Sequence, residues 1–467
     1  MLFTSFLIFL VFSTFVSYPK VEGSISPIEG HSIIINRLGT ISIVFTLILL
    51  ITSIDVIGLT PGVTIFNGWF NFTSYNLPLI ILILLLVIAL LIYNTSVNKY
   101  DLKSPFYILI LISNIIGLLL FPLVNDLLAL YIIVELQSYS LYLLTGLHNR
   151  SYNASRASLL YFLMGGVASA IILLATYFIY ALTGSTNLSD IAIFYSYSNA
   201  FDYFDILLIA LLFKMGMAPL HRWSIAVYNY APTYITAYIS VVAKISIASW
   251  IFANANLFNH HILIISFYLS LLIAAYKPLF QVNLKTILAY SGLLNFGYIL
   301  LSIISFDISF YIYIIQYVLT HIILFLGILA ASQYINTPIS TWSPLIYIHQ
   351  LKLPNLSLAI CLILALFSLI GIPPLPGFYA KLYILSGALQ DNYVFETCLL
   401  VVCSVIATYY YANIIKILIN SRTIKENINV NNINPSLAYT LATATILLLS
   451  FFIFLPSISE GLYLITI

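Results

Sequence analysis

The chain has 467 residues, 62% of them hydrophobic and only 6% charged, with a mean hydropathy of +1.09. No water-soluble globular domain carries that balance, so the sequence reads as a polytopic membrane protein. A net charge of +2, with no cluster of bases to build a phosphate-binding face, argues against nucleic acid as a partner.

Residues 2–18 form the first apolar run; no basic residue precedes them and no clean cleavage site follows, so they read as a first span rather than a signal peptide. Further apolar runs fall at about 38–59, 77–94, 104–121, 123–146, 157–183, 205–229, 232–256, 258–278, 285–304, 309–334, 356–385, 393–418 and 436–454. Each is near the ~20 residues a bilayer requires, which gives about fourteen transmembrane helices. The charges offer an independent check. Lys20 and Arg37, Lys99 and Lys103, Arg150 and Arg156, Lys277 and Lys285, Lys352, and Lys416, Arg422 and Lys425 fall in or beside odd-numbered loops, whereas the even loops hold acids such as Asp190, Asp202 and Asp391. Because loops on the side of synthesis are enriched in Lys and Arg, this alternation predicts an even number of spans. Both termini then lie opposite the positive loops.

Four cations fall outside that pattern: Lys214, Arg222, Lys244 and Lys381. Glu135, in Tyr131-Ile132-Ile133-Val134-Glu135-Leu136, is the one carboxylate near the centre of a span in the first half. Ionised and alone it would be intolerable there, so it is either protonated or paired with a cation such as Lys214. Phe213-Lys214-Met215-Gly216-Met217-Ala218-Pro219 places an ammonium and a proline in the seventh span. The proline removes a backbone hydrogen bond that lipid cannot replace, so the helix is expected to break around a polar site. The plainer alternative is a kinked structural helix whose lysine snorkels to an interface. His221 and Arg222 flank this break and read as partners for the backbone carbonyls that Pro219 frees. Lys244 lies mid-span between apolar turns, where snorkelling is difficult; a structural ion pair is its other reading.

In the twelfth span, Gly371-Ile372-Pro373-Pro374-Leu375-Pro376-Gly377-Phe378-Tyr379-Ala380-Lys381 cannot stay helical. The run 356–385 is long enough for two half-helices joined by an unwound segment. Breaks at Pro219 and at Pro373 and Pro374, five spans apart, predict two inverted five-helix repeats with a site at mid-membrane. The expected divisions are a three-helix segment 1–103, a first repeat 104–256, a second repeat 257–418, and a loop with a C-terminal helix over 419–467. The fold class is therefore all-α, polytopic, with one broken helix in each repeat.

These residues resemble the antiporter-like subunits of respiratory NADH:quinone oxidoreductase (complex I), themselves similar to Mrp-type sodium/proton antiporters. Phe213, Lys214, Pro219, His221 and Trp223 look like that family's seventh-helix pattern, and Gly371, Pro373, Pro374, Gly377, Phe378 and Lys381 like its twelfth-helix pattern. Leu288-Ala289-Tyr290-Ser291 resembles the opening of its tenth helix, and Glu135 stands in the place of its fifth-helix glutamate. The modest length, with no extended lateral helix after residue 454, resembles one mitochondrial member more than its two sisters.

The resemblance implies a proton-translocating subunit of the mitochondrial inner membrane. Glu135 and Lys214 form a pair, Lys244 is the next station, and Lys381 is the terminal site of the second half. The positive odd loops face the matrix. Partners are other complex I membrane-arm subunits and lipids. No cofactor is expected in this chain, with NAD, FMN, iron–sulfur clusters and ubiquinone in the rest of the complex. The residues agree: there is no G-x-G-x-x-G, no plausible haem pair, and Cys361, Cys398 and Cys403 stand singly without metal-ligand spacing. Abundant Tyr, Phe, Asn and Ile fit the AT-rich codons of an organellar gene. Two positions depart from the family pattern, with Gly292 and Asn295 standing where a serine and a histidine are expected. His321, mid-span one helix later, is a candidate relay between Lys244 and Lys381 or simply a hydrogen-bonded core residue. A stand-alone Mrp-like cation/proton antiporter needs the same buried groups and is the competing function.

Overall fold

A computed structural model describes residues 1–17, 27–54, 59, 62–95, 106–147, 151–195, 202–332, 347–351, 353, 355–420 and 433–466. In chain order the helices are α1 (Leu2–Ser17), α2 (Pro27–Ser53), α3 (Leu77–Thr95), α4 (Tyr107–Leu120), α5 (Leu127–Gly146), α6 (Tyr152–Thr183), α7 (Leu188–Tyr195), α8 (Asp202–Met215), α9 (Arg222–Tyr230), α10 (Thr233–Tyr238), α11 (Lys244–Ala253), α12 (His260–Tyr276), α13 (Leu284–Ile304), α14 (Ser309–Ala331), α15 (Leu356–Ile370), α16 (Pro376–Gln390), α17 (Val394–Asn420) and α18 (Pro435–Thr466). A five-residue π-helical turn, Ile239–Ala243, joins α10 to α11. Among the described residues, 10 helical stretches are long and apolar enough to cross a membrane.

Burial sorts these stretches into a centre and a periphery. The stretches Thr233–Ala253 and Leu284–Ile304 are 100% buried and Ser309–Ala331 is 89% buried, while the stretches of α6 and α17 are 39% buried and that of α18 28%. Every face of α13 thus meets protein, and the outer helices turn apolar surface outward. On α5 the exposed residues Leu128, Ile132, Leu136, Tyr139 and Leu143 recur at helical spacing, a stripe suited to lipid or to an apolar partner.

Polar contacts fix the first half. Asp126 caps α5 through Leu128 N at 2.8 Å and Ala129 N at 3.3 Å. Its other oxygen accepts from Thr186 Oγ1 at 2.7 Å. Asn114 on α4 donates to Ser140 Oγ on α5 at 2.7 Å and accepts from Tyr238 on α10 at 2.7 Å, so a single amide ties three helices together. The indole of Trp250 donates to the Val124 carbonyl at 3.0 Å.

Several details differ from the sequence reading. A small hairpin, Val63–Ile65 paired with Phe70–Phe72, interrupts the all-α pattern; its turn carries the Asn67-Gly68 pair, both at positive φ, a hairpin signal. Helix α2 begins before Arg37, so Arg37 is a helical residue rather than a loop residue. Helix α18 runs on through Pro456 to Thr466, as apolar helices tolerate proline. Lys20, Lys99, Lys103, Arg150, Lys352, Arg422 and Lys425 lie outside the described residues.

Candidate functional site

The first break is built as a helix stop. Gly216 adopts φ +71; its N–H donates to the Phe213 carbonyl at 2.9 Å, and the Met217 N–H donates to the Leu212 carbonyl at 3.0 Å. This is the glycine-terminated closure in which a left-handed residue satisfies the last carbonyls. The Ala218–Pro219 peptide is cis, and α9 starts at Arg222. The Trp223 indole donates back to the Phe213 carbonyl at 3.1 Å, and His221 Nδ1 lies 3.1 Å from the Pro219 carbonyl, the backbone-satisfying role expected of it. Arg222 is exposed.

The second break repeats the construction. Gly371 has φ +94 and the Pro373–Pro374 peptide is cis, so in both breaks the glycine stands three residues before the cis proline. The Ile372 N–H donates to the Phe367 carbonyl at 3.2 Å, the counterpart of Met217 to Leu212. The lysines sit differently. Lys214 occupies the last turn of α8 ahead of its break. Lys381 lies beyond its break on α16 and reaches back to donate to the Leu369 and Ile370 carbonyls at 2.7 and 3.1 Å. It neutralises the negative end of α15.

Lys214 and Lys244 line one cavity of about 30 Å³, together with Tyr142, Tyr161, Trp223 and Tyr228. That is room for about two water molecules. Lys214 Nζ is buried without a hydrogen-bond partner. Lys244 follows the π-helical turn directly and is 5% exposed. Its ammonium lies 5.2 Å from the ring centres of both Tyr228 and Phe296, a cation–π environment that stabilises charge without neutralising it. Glu135 lies within electrostatic reach of Lys214, but its Oε1 is also unpartnered, its Oε2 has a long contact, 3.4 Å, from Ser138, and Tyr139 stands beside it. The two are therefore not held as a tight salt bridge. His321 is 1% exposed, with Nδ1 3.0 Å from the Tyr317 carbonyl, Nε2 unpartnered and Lys244 within electrostatic reach.

Lys285, read as a loop edge at the start of a span, stands in the first turn of α13, but it is 4% exposed and donates to the Ala231 carbonyl at 2.7 Å. Pro232 follows Ala231 and starts a new helix, leaving carbonyls at the end of α9 in need of donors; that gap was the available signal. His260 and His261 are exposed, and Glu396 accepts from Tyr268 at 2.5 Å, linking α17 to α12.

Because Lys381 serves two backbone carbonyls, Lys381→Met is expected to lower stability. Each orphaned carbonyl costs about 1–3 kcal/mol, which a thermal melt of the purified assembly would register as a lower Tm.

Lys214, Lys244 and Lys381 thus stand beside three helix irregularities, two breaks and a π-helical turn. Residues 124–408 match the family described as NADH:quinone oxidoreductase/Mrp antiporter, transmembrane, and the chain belongs to that family. It is 71% identical over 467 residues, all of both chains, to NADH-ubiquinone oxidoreductase chain 2 of Debaryomyces hansenii. It is 52% identical over 435 residues to the protein of that name from Candida albicans, covering 92% of this chain and 91% of the relative. Its fold matches a chain of respiratory complex I from Thermus thermophilus with bound aureothin, with a TM-score of 0.77, 22% identity, and 97% of each chain covered.

Proposed function

We infer that this chain is a proton-translocating membrane-arm subunit of NADH:ubiquinone oxidoreductase, multi-pass in the mitochondrial inner membrane. It moves protons while electrons pass from NADH to ubiquinone in other subunits. The observation that carries this reading is the cavity shared by Lys214 and Lys244, whose two amines have few competing partners. Both lysines line the same small cavity, so each is placed to exchange a proton with what occupies it. Glu135, near Lys214 without being bonded to it, biases the first station; His321 and Lys381 continue the row. Full-length identity of 71% to a chain 2 relative favours the complex over a stand-alone antiporter.

Within this reading the chain crosses the membrane fourteen times. The inverted repeats 104–256 and 257–418 are flanked by 1–103 and 419–467, odd loops face the matrix, and both termini lie opposite. The matched closures of the two breaks, each with a glycine at positive φ and a backbone bond from the next residue to the carbonyl five before it, support the repeats. No redox cofactor is assigned to this chain; NAD, FMN, iron–sulfur clusters and ubiquinone belong to its partners.

Solubilising the native membrane in mild detergent and separating assemblies by size tests the reading. The chain is expected to co-migrate with a large NADH-oxidising particle. A small, NADH-inactive species exchanging cations for protons in liposomes would overturn it in favour of the stand-alone antiporter.

A further inference from the structure

Lys244 follows a helix irregularity that one tyrosine on another helix reaches directly. In a regular α-helix the Lys244 N–H would donate to the Ser240 carbonyl, four residues back. Here it donates to the Val241 carbonyl instead, at the end of the π-helical turn Ile239–Ala243. The Ser240 carbonyl accepts from the Tyr317 hydroxyl on α14 at 3.2 Å. A side chain thus stands where the helix's own N–H would have been. The Ser240 hydroxyl is engaged within its own helix, donating to the Ala237 carbonyl at 3.1 Å.

Tyr317 is held firmly enough to aim that hydroxyl. It is 1% exposed, lies edge-on to Phe296 with ring centres 5.3 Å apart, and has the His321 ring 4.0 Å away on the next turn of its own helix. On α13, Gly292 faces the hydroxyl: a Cβ added there would lie 3.6 Å from it, so this residue brings no side chain to compete with Ser240. Phe296 is also the ring whose centre lies 5.2 Å from Lys244 Nζ. Tyr317 therefore bears on Lys244 twice, through the backbone turn before the lysine and through the aromatic face that meets its ammonium. Ile239 and Ala243, the two ends of the turn, line the same cavity as Lys214 and Lys244, so any rewinding of the turn reshapes that cavity.

We propose that Tyr317 is a positioning residue: its hydroxyl holds the π-helical turn in place through the Ser240 carbonyl and so sets the direction from which Lys244 enters the cavity. This rests on the proton-translocating reading above. Tyr317 gives up no proton in this role; it acts through the backbone. Single π-helical turns are rare inside α-helices, because ordinary α-helical bonding is available to the same residues. A donor from outside the helix, aimed at the carbonyl that the Lys244 N–H has left, tips that choice toward the turn. The setting matters because a misplacement of about 1 Å in a reacting group can cost about 10²-fold in rate.

The test compares Tyr317→Phe with Lys244→Met in the assembled complex. Three things are read: Tm, the protons translocated per NADH oxidised in sealed vesicles, and a density map over residues 239–244. Phenylalanine keeps the ring contacts with Phe296 and His321 and removes only the hydroxyl. The expected result for Tyr317→Phe, at wild-type Tm, is a rewound turn, a Lys244 displaced from the Phe296 ring, and a ratio lowered toward that of Lys244→Met. A hydroxyl that merely satisfies a carbonyl would leave turn and ratio as in wild type, which overturns the positioning role. A lowered ratio with the turn unchanged overturns it too, as does a rewound turn with a wild-type ratio. A wild-type ratio in Lys244→Met overturns the proton-translocating reading itself. Where Tyr317→Phe does not assemble, the wild-type map decides: a hydroxyl within hydrogen-bond distance of the Ser240 carbonyl beside an intact π-helical turn supports the role, and an intact turn with the hydroxyl directed elsewhere overturns it.

Discussion

Lys214→Met is expected to lose transport while keeping or gaining stability. The Nζ atom of Lys214 is buried and has no hydrogen-bond partner, so no hydrogen bond is broken when it is removed and the desolvation cost of a buried ammonium is relieved; the loss of its attraction to Glu135 works the other way. The proton-transfer step through this station loses its acceptor, a change worth about 10²–10⁴ in rate for a positioned acid or base. The measurement pairs a melting curve of the assembled complex with NADH-driven proton uptake into vesicles. A variant that melts lower than wild type would mean that Glu135 and Lys214 are a structural pair after all. The contrast with Lys381→Met is the informative part, because that lysine holds the Leu369 and Ile370 carbonyls.

Gly377→Ala is expected to be the most disruptive single-methyl change in the second half. Gly377 opens α16 where it crosses α15; its N–H donates to Ser368 Oγ at 3.2 Å, and a Cβ there would run into the Ser368 carbonyl. The obstacle is backbone, so the two half-helices have to separate, at a cost of about 1–3 kcal/mol or more. Gly166 is the matched control: it lies in α6 with nothing near its missing Cβ, and alanine there gains about 0.5–1 kcal/mol of helix propensity. Assembly yield and Tm of the two variants should move in opposite directions, and equal behaviour would refute the close-approach argument.

Much of the site was legible because it violates the rules of its surroundings. A lysine, a glycine and a proline in an apolar run have few explanations, and both breaks fall where those residues stand. Glu135 and Lys244 stood out for the same reason. Lys285 did not, because its burial depends on α13 starting at Leu284 and on the open end of α9 packing against it. Tyr317 was invisible for a different reason: the sequence holds 36 tyrosines, and spacing along one helix says nothing about which of them meets a carbonyl on another. Asn295 looked like the loss of a titrating group; in the fold it is the acceptor for Tyr313.

The π-helical turn Ile239–Ala243 carries a consequence for how related chains should be aligned. Such a turn absorbs a single extra residue, and one residue of α-helix corresponds to ~100° of rotation. Lys244 therefore points into its cavity by virtue of the residue count from Pro232, not of the identity of its immediate neighbours. A relative one residue shorter across this stretch would present the same cavity from an uninterrupted helix only with its lysine one position earlier, so a gap placed elsewhere in an alignment would hide a preserved lysine as an apparent substitution.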